Sequence, residues 1–345
     1  MIGRRATLFV LLYLLSACGP RAALTPAFST PSTLGKTVTY WDMGLSVSYA
    51  DGWPAPQFTS GQVLIATASA MIDDQKKLAH PFVALKAVDP IKQLRLPADA
   101  TLTQIATAAL QDTVSVSRTG RTGVGGLDAE FVEVDQTQSN VHGLSIAFRL
   151  PDGRVGVLLG VSPIDQWAYF APVLEQVRSS GVLIKTSSYP LPRPGTTVVT
   201  FAAGGLTLTP PEGWKVDTMS GGSALVMTDP ATERFGDQSG FANGAQLALL
   251  AHATAADGAD ITAKFARIVQ AAANSPIQKI DIGGRQAAMV VDRDPVTGQN
   301  ITLIGVIALN QKTITVFRWT TPYSLTEVLR PTIDAIMASV KYRPG

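Results

Sequence analysis

The chain has 345 residues, 46% hydrophobic and 16% charged, which is room for two domains and excludes disorder as the overall state. One cysteine and three histidines exclude a disulfide scaffold and a Cys-rich zinc site. With 28 Lys plus Arg against 26 Asp plus Glu, nothing favours nucleic acid, whose binding needs clustered cations.

Residues 1–17 read as a bacterial signal peptide: Arg4 and Arg5 lead a short apolar run from Leu8 to Leu15, and small residues Ser16 and Ala17 follow. That run is shorter than the roughly 17–25 residues of a membrane-spanning helix. Leu15-Ser16-Ala17-Cys18 also resembles a lipobox, and that resemblance implies a diacylglyceryl group on Cys18 and cleavage before it. An ordinary signal peptide that contains a cysteine is the alternative. Loss of Arg4 and Arg5 leaves 26 basic against 26 acidic residues, a formal charge near zero. The expected location is the cell envelope, on the outer face of a bacterial membrane. Residues 18–36 are rich in Pro, Ser, Thr and Ala and read as a tether; as a flexible coil it spans roughly 20–25 Å.

The body of the chain is written twice. Gly44-Leu45-Ser46-Val47-Ser48-Tyr49 through Gly52-Trp53 matches Gly205-Leu206-Thr207-Leu208-Thr209-Pro210 through Gly213-Trp214. Gly125-Gly126, Pro163 and Pro172 match Gly283-Gly284, Pro322 and Pro331 in the same order. Between the copies, residues 187–195 carry three prolines in five positions and favour an extended spacer. The predicted domains are therefore 37–186 and 196–345.

Each copy has the same predicted layout. Alternation over 45–49 and 206–209 marks a half-buried strand, followed by a Gly turn and a tryptophan placed to cover the core. Strands over 63–68 and 82–88 answer those over 223–227 and 246–252. Helices over 101–114 and 260–273 set apolar residues on one face. Three strands follow in each copy, over 128–134, 143–150 and 154–161, and over 286–292, 301–309 and 313–319. Tight turns at 151–153 and 310–312 make the last pairs antiparallel. Closing helices cover 166–179 and 325–339. The fold class is α+β: two tandem α-β-α sandwich domains, each a mostly antiparallel sheet flanked by helices.

A glycine-led alternating strand, Pro211-Glu212-Gly213-Trp214, a helix, a meander and a terminal helix resemble the PsbP-like domain; copy one departs to Ala50-Asp51-Gly52-Trp53. That family includes an extrinsic photosystem II subunit, Ran-binding Mog-type proteins and bacterial lipoproteins. The resemblance implies an α-β-α sandwich with a mostly non-enzymatic binding or assembly role, and carries over no functional residue.

Reaction chemistry is not legible in this sequence. Gly35-Lys36-Thr37 lacks the first glycine of a phosphate loop, and residues 120–126 (GRTGVGG) lack dinucleotide-binding spacing and shape a hairpin or bulge instead. His80, His142 and His252 fall at non-equivalent positions of the two copies. Glu130 and Glu133 point to opposite faces of their strand. Residues 292–300 offer oxygen ligands without the calcium-loop spacing and read as a solvated hairpin.

No enzyme, cofactor or metal site is expected. The predicted function is a lipid-anchored binding or assembly module, its partners the membrane through Cys18 and a protein or small apolar ligand. A lipid-anchored hydrolase, with a nucleophile set against His142 or His252, is the alternative. Loops on a rigid sheet commonly carry recognition. The loops that differ most between the copies put Met71, Ile72 and Leu78, and Phe235 and Phe241, forward as partner-binding residues.

Overall fold

A computed structural model describes residues 33–343, apart from 60, 70–77, 92, 111–114, 137–139, 186–187, 235–240, 254–259, 270–275, 294–299 and 308–312. The leader, Cys18 and the tether to residue 32 lie outside the described residues, as do Met71, Ile72 and Phe235. Two compact units meet in sequence after Lys185. Among the described residues no helix is long and apolar enough to cross a membrane.

The first unit opens with β1 (Lys36–Tyr40) and β2 (Leu45–Tyr49), then β3 (Gln57–Thr59), β4 (Gln62–Ala66) and β5 (Phe82–Val88). Helix α1 (Leu102–Ala109) leads to a meander of β6 (Ser115–Val124), β7 (Leu127–Gln136), β8 (Val141–Arg149) and β9 (Val155–Pro163). Helix α2 (Trp167–Ser179) and β10 (Val182–Leu183) close it. Seven strands form one antiparallel sheet in the order β3-β4-β5-β9-β8-β7-β6, while β10 returns to pair with β2 beside β1. The meander has four strands where the sequence predicts three. The missed strand, β6, is polar and exposed along most of its length, so it carries no apolar alternation.

Period-two geometry sends alternate residues to opposite faces and gives each helix its own side. Ile105 and Ala106 of α1 pack on Val132, Val134, Ala147, Val155 and Val157. Thr101 and Gln104 form a capping box at the start of α1, and Glu130 reaches from the sheet to accept from the Thr103 amide at 2.7 Å. The opposite face carries Leu144 and Ile146 toward Leu174 of α2. Gly160 lets α2 approach: a Cβ there would stand 2.2 Å from a Leu174 methyl.

The second unit comprises β11 (Val199–Phe201), β12 (Leu206–Leu208), β13 (Lys215–Met219), β14 (Ala224–Thr228), β15 (Glu233–Arg234), β16 (Phe241–Asn243) and β17 (Gln246–Ala253). It continues with α3 (Ile261–Val269), β18 (Gln278–Ile282), β19 (Arg285–Arg293), β20 (Asn300–Ile307), β21 (Thr313–Thr321), α4 (Thr326–Ala338) and β22 (Lys341–Tyr342). Its seven-stranded sheet runs β13-β14-β17-β21-β20-β19-β18, and β22 pairs with β12 beside β11, the same plan as the first unit. Phe265 of α3 packs on Ala288, Val290, Ile314 and Val316.

The shared glycines have shared work. Gly125 and Gly126 have φ of 59° and 80°, and Gly283 and Gly284 57° and 77°, inside two-residue hairpins closed by Val124–Leu127 and Ile282–Arg285. Positive φ at both central positions is the requirement of that turn. Trp53 and Trp214 are both buried. Arg293 of β19 pairs with Asn300 of β20, and residues 294–299 lie outside the described residues.

Candidate functional site

In the first unit the side of the sheet beneath α2 holds a cleft of about 310 Å³. Its floor is apolar: Leu144, Ile146, Trp167 and Leu174. Its rim is charged: Arg118 from β6, Glu133 from β7, and Glu175 and Arg178 from α2. Neighbouring strands bring these residues together, because Arg118 is opposite Glu133 and Glu133 is opposite Leu144 in the ladder.

Behind the rim sits His142. Its Nδ1 is 2.6 Å from Asp135 Oδ1 and its Nε2 3.0 Å from Glu133 Oε1, and its ring lies against Trp167 with centroids 3.9 Å apart. A carboxylate only accepts, so both bonds are made together when both ring nitrogens carry protons. Glu133 Oε2 accepts from Arg118 Nε at 2.7 Å. Asp135, His142, Glu133 and Arg118 thus stand in one continuous chain of polar contacts. It fixes the Trp167 wall of the cleft.

The remaining rim charges are also paired. Arg178 donates through Nε to Glu175 at 2.8 Å and through Nη1 to the carbonyl of Gly123, tying the end of α2 to β6. The Arg178 bonds hold the Glu175 carboxyl below its usual range. Arg118 differs: beyond Nε its contact among the described residues is with the Phe131 ring, 5.1 Å from its centroid, and its side chain is 67% exposed.

Both nitrogens of His142 are engaged by carboxylates, not by a hydroxyl nucleophile. His80 and His252 are half-buried. Among the described residues no group of three or more His, Cys, Asp or Glu side chains could hold a metal ion.

The residues singled out in the sequence fare differently. Glu130 and Glu133 do point to opposite faces, Glu130 toward α1 and Glu133 toward the cleft. The pair that matters is Glu133 and Asp135, whose separation of two puts them on one face, the spacing that could have revealed the cluster. Leu78 is half-buried against the core of Leu64, Phe82 and Val161. Phe241, at the start of β16, is 4% exposed.

The second unit has no such cleft chemistry in its sequence. Positions of Glu133, Asp135, His142 and Trp167 are filled by Val291, Arg293, Asn300 and Thr326 in the matching registers. The whole set is replaced together.

No family model matches the chain, and no curated protein matches it. Solved structures do. The Saccharomyces cerevisiae Ran-binding protein Mog1p is 9% identical over 45% of this chain and 98% of its own, with a TM-score of 0.31. The cyanobacterial PsbP of Synechocystis is 15% identical over 48% and 99%, with a TM-score of 0.30. The T6SS immunity protein TplEi of Pseudomonas aeruginosa is 11% identical over 85% and 98%, with a TM-score of 0.24. The chain also matches a Bacteroides thetaiotaomicron protein and spans 46% of its length. PsbP-like and Mog-type folds are thus among the structures this chain resembles.

Proposed function

We propose that the protein is a non-catalytic binding module, held by lipid on Cys18 at the outer face of a bacterial membrane, with two tandem PsbP-like domains. The cleft under α2 is its partner site. One observation carries this reading: the charges around the cleft are paired, Arg118 through Nε with its guanidinium end exposed, and what they enclose is an apolar floor of Leu144, Ile146, Trp167 and Leu174. Such a site gains affinity from burying apolar surface and orientation from its rim. The lipobox Leu15-Ser16-Ala17-Cys18 supports the location, and Met71, Ile72 and Phe235 remain the proposed loop contacts.

The test is capture of the acylated protein with its partners from its own envelope, wild type against Ala171→Trp. Ala171 lines the cleft, so an indole there fills it from the helix side. The same partners at the same yield from a folded Ala171→Trp protein would remove the cleft from the binding function. Turnover of ester or amide substrates by the purified protein would favour the hydrolase instead.

A further inference from the structure

The strand that bounds the cleft is also the longest sheet edge in the described residues. Each seven-stranded sheet has two edge strands, and three of the four are short: β3 has 3 residues, β13 has 5 and β18 has 5. Short edges are one way proteins keep sheets from pairing with other chains. The edge of β18 is further blunted by Pro276, two residues before it. Strand β6 runs for 10 residues without proline, its register with β7 shifting once between Val116 and Arg118. Residues 115–119 are all exposed, as is Arg121.

The chemistry of this edge has a sign. Its own charges are Arg118 and Arg121, and it has no acidic residue. Of the β7 carboxylates, the two opposite these arginines are engaged, Glu133 by His142 and Arg118 Nε and Glu130 by the Thr103 amide and hydroxyl, while Asp128 is exposed opposite Gly123 and Asp135 contacts His142. The guanidinium ends therefore form the outer surface. Being three residues apart, Arg118 and Arg121 lie on opposite faces of the sheet. Arg118 overhangs the cleft, and Arg121 stands on the α1 side opposite Glu130.

We propose that β6 accepts an extended segment of another protein as an eighth strand, one bearing carboxylates at positions i and i+3. Main-chain hydrogen bonds along 115–122 supply the affinity common to strand addition, and the two carboxylates fix register by meeting Arg118 on one face and Arg121 on the other. A side chain two positions from the Arg118 partner falls on the cleft side, where apolar residues wait. This inference rests on the binding-module reading and names the class of partner.

The experiment uses the whole chain in detergent and fluorescein-labelled ten-residue Thr/Val peptides. One carries Glu at i and i+3, one Glu at i and i+2, and one Lys at i and i+3. A fourth repeats the first with alternate amides N-methylated on either edge. Expected are at least tenfold tighter binding of the first peptide than of the second or third, loss of binding on N-methylation of the pairing edge, and slowed amide exchange within 115–122. Arg118→Glu with Arg121→Glu reverses the preference toward the Lys peptide. The N-methylated arm uses the wild-type protein, so it decides the matter even where the double variant is unstable. Binding indifferent to N-methylation, or unchanged exchange in β6, overturns the proposal. So does absence of peptide binding beside successful envelope capture, which leaves the binding-module reading standing.

Discussion

Arg154 Nη1 donates to the Asp42 carboxylate at 2.9 Å with both side chains buried, the most deeply enclosed ion pair among the described residues of the first unit. Arg154 also bonds Asp152 at 2.8 Å and the Asp42 carbonyl. Burial alone lowers the affinity of this guanidinium for its proton, but the two aspartates outweigh it and the net direction is up. Burial, then Asp42, pushes the Tyr40 phenol well above its usual range, and its hydroxyl donates to the Gly61 carbonyl at 2.8 Å. In the second unit Phe201, Ala203 and Thr313 stand where Tyr40, Asp42 and Arg154 stand, counted from the shared Gly and Pro positions.

Breaking a buried pair on one side leaves an uncompensated charge, whereas replacing both partners by apolar groups is often near neutral. Asp42→Ala should therefore cost about 3 kcal/mol, somewhat relieved by Asp152. Asp42→Ala with Arg154→Met should cost less than the single change. Urea melts of the four proteins in the double-mutant cycle check this; additive losses would mean that the two residues are not coupled.

The sequence made the repeated architecture readable because its cues are local. Leu45–Tyr49 and Phe82–Val88 were bounded correctly from alternation and apolar runs, and α2 and α4 to within a residue or two at each end. What escaped was decided by neighbours distant in sequence. Strand β6 has the composition of a loop and is a strand because β7 offers it a ladder. The His142 cluster draws on three elements, β7, β8 and the start of α2, and no single window of sequence contains it.

Lys86 gives the next test. It lies half-buried on β5, opposite Val157, and desolvation pulls its ammonium down to about 8. The unfolded chain holds that proton more tightly, so stability should rise with pH from about 8 toward the ordinary lysine value of 10.5. The second unit carries Leu250 at this register position. Lys86→Met should stabilise the first unit by about 1–2 kcal/mol at pH 7, a figure already reduced for its partial exposure, and should flatten the rise above pH 8. Thermal melts at pH 7 and 9.5 decide it; a destabilised Lys86→Met protein would show that the ammonium has a favourable partner.

Glu130 predicts the opposite pH behaviour. Its bond from the Thr103 hydroxyl, with the amide of the same residue, holds its carboxyl below the model-peptide value of 4.5. The folded pKa being lower, the stabilisation is present above pH 4.5 and fades as pH falls through the folded value. Glu130→Gln should be less stable than wild type at pH 7, and the gap should close below about pH 4. A gap that persists at pH 3 would assign Glu130 a packing role.

The two units end alike. Ser180 Oγ accepts from the Ser48 amide at 2.8 Å, and Ser339 Oγ accepts from the Thr209 amide at 2.8 Å, each hydroxyl donating back to its own helix. Ser180→Ala and Ser339→Ala should each cost about 1 kcal/mol. If the units fold independently, each change should shift one of two calorimetric transitions and leave the other in place. A single transition moved equally by both would contradict separate folding.

Cys18 is tested by its removal. Buried methylenes contribute about 0.8 kcal/mol each, and stable anchoring takes more than one acyl chain. Cys18→Ala should leave the precursor unprocessed or the protein free of the membrane fraction. Mass spectrometry of wild-type protein that finds a free Cys18 thiol would end the lipoprotein reading.

Trp214 should respond differently to two truncations of its ring. Trp214 stacks on Trp319, ring centroids 5.9 Å apart and 17° from parallel, while its indole N–H is buried with no acceptor. Such an unpaired donor costs about 1–3 kcal/mol, which offsets part of what the ring gains by burial. Trp214→Phe keeps an aromatic face against Trp319 and removes the donor. It should cost under about 1 kcal/mol, whereas Trp214→Ala should cost about 3–5 kcal/mol by leaving a cavity. Near-ultraviolet circular dichroism should lose the coupled-indole signal in Trp214→Phe while the melting midpoint barely moves. A large fall in that midpoint would mean that the Trp214 N–H has an acceptor after all.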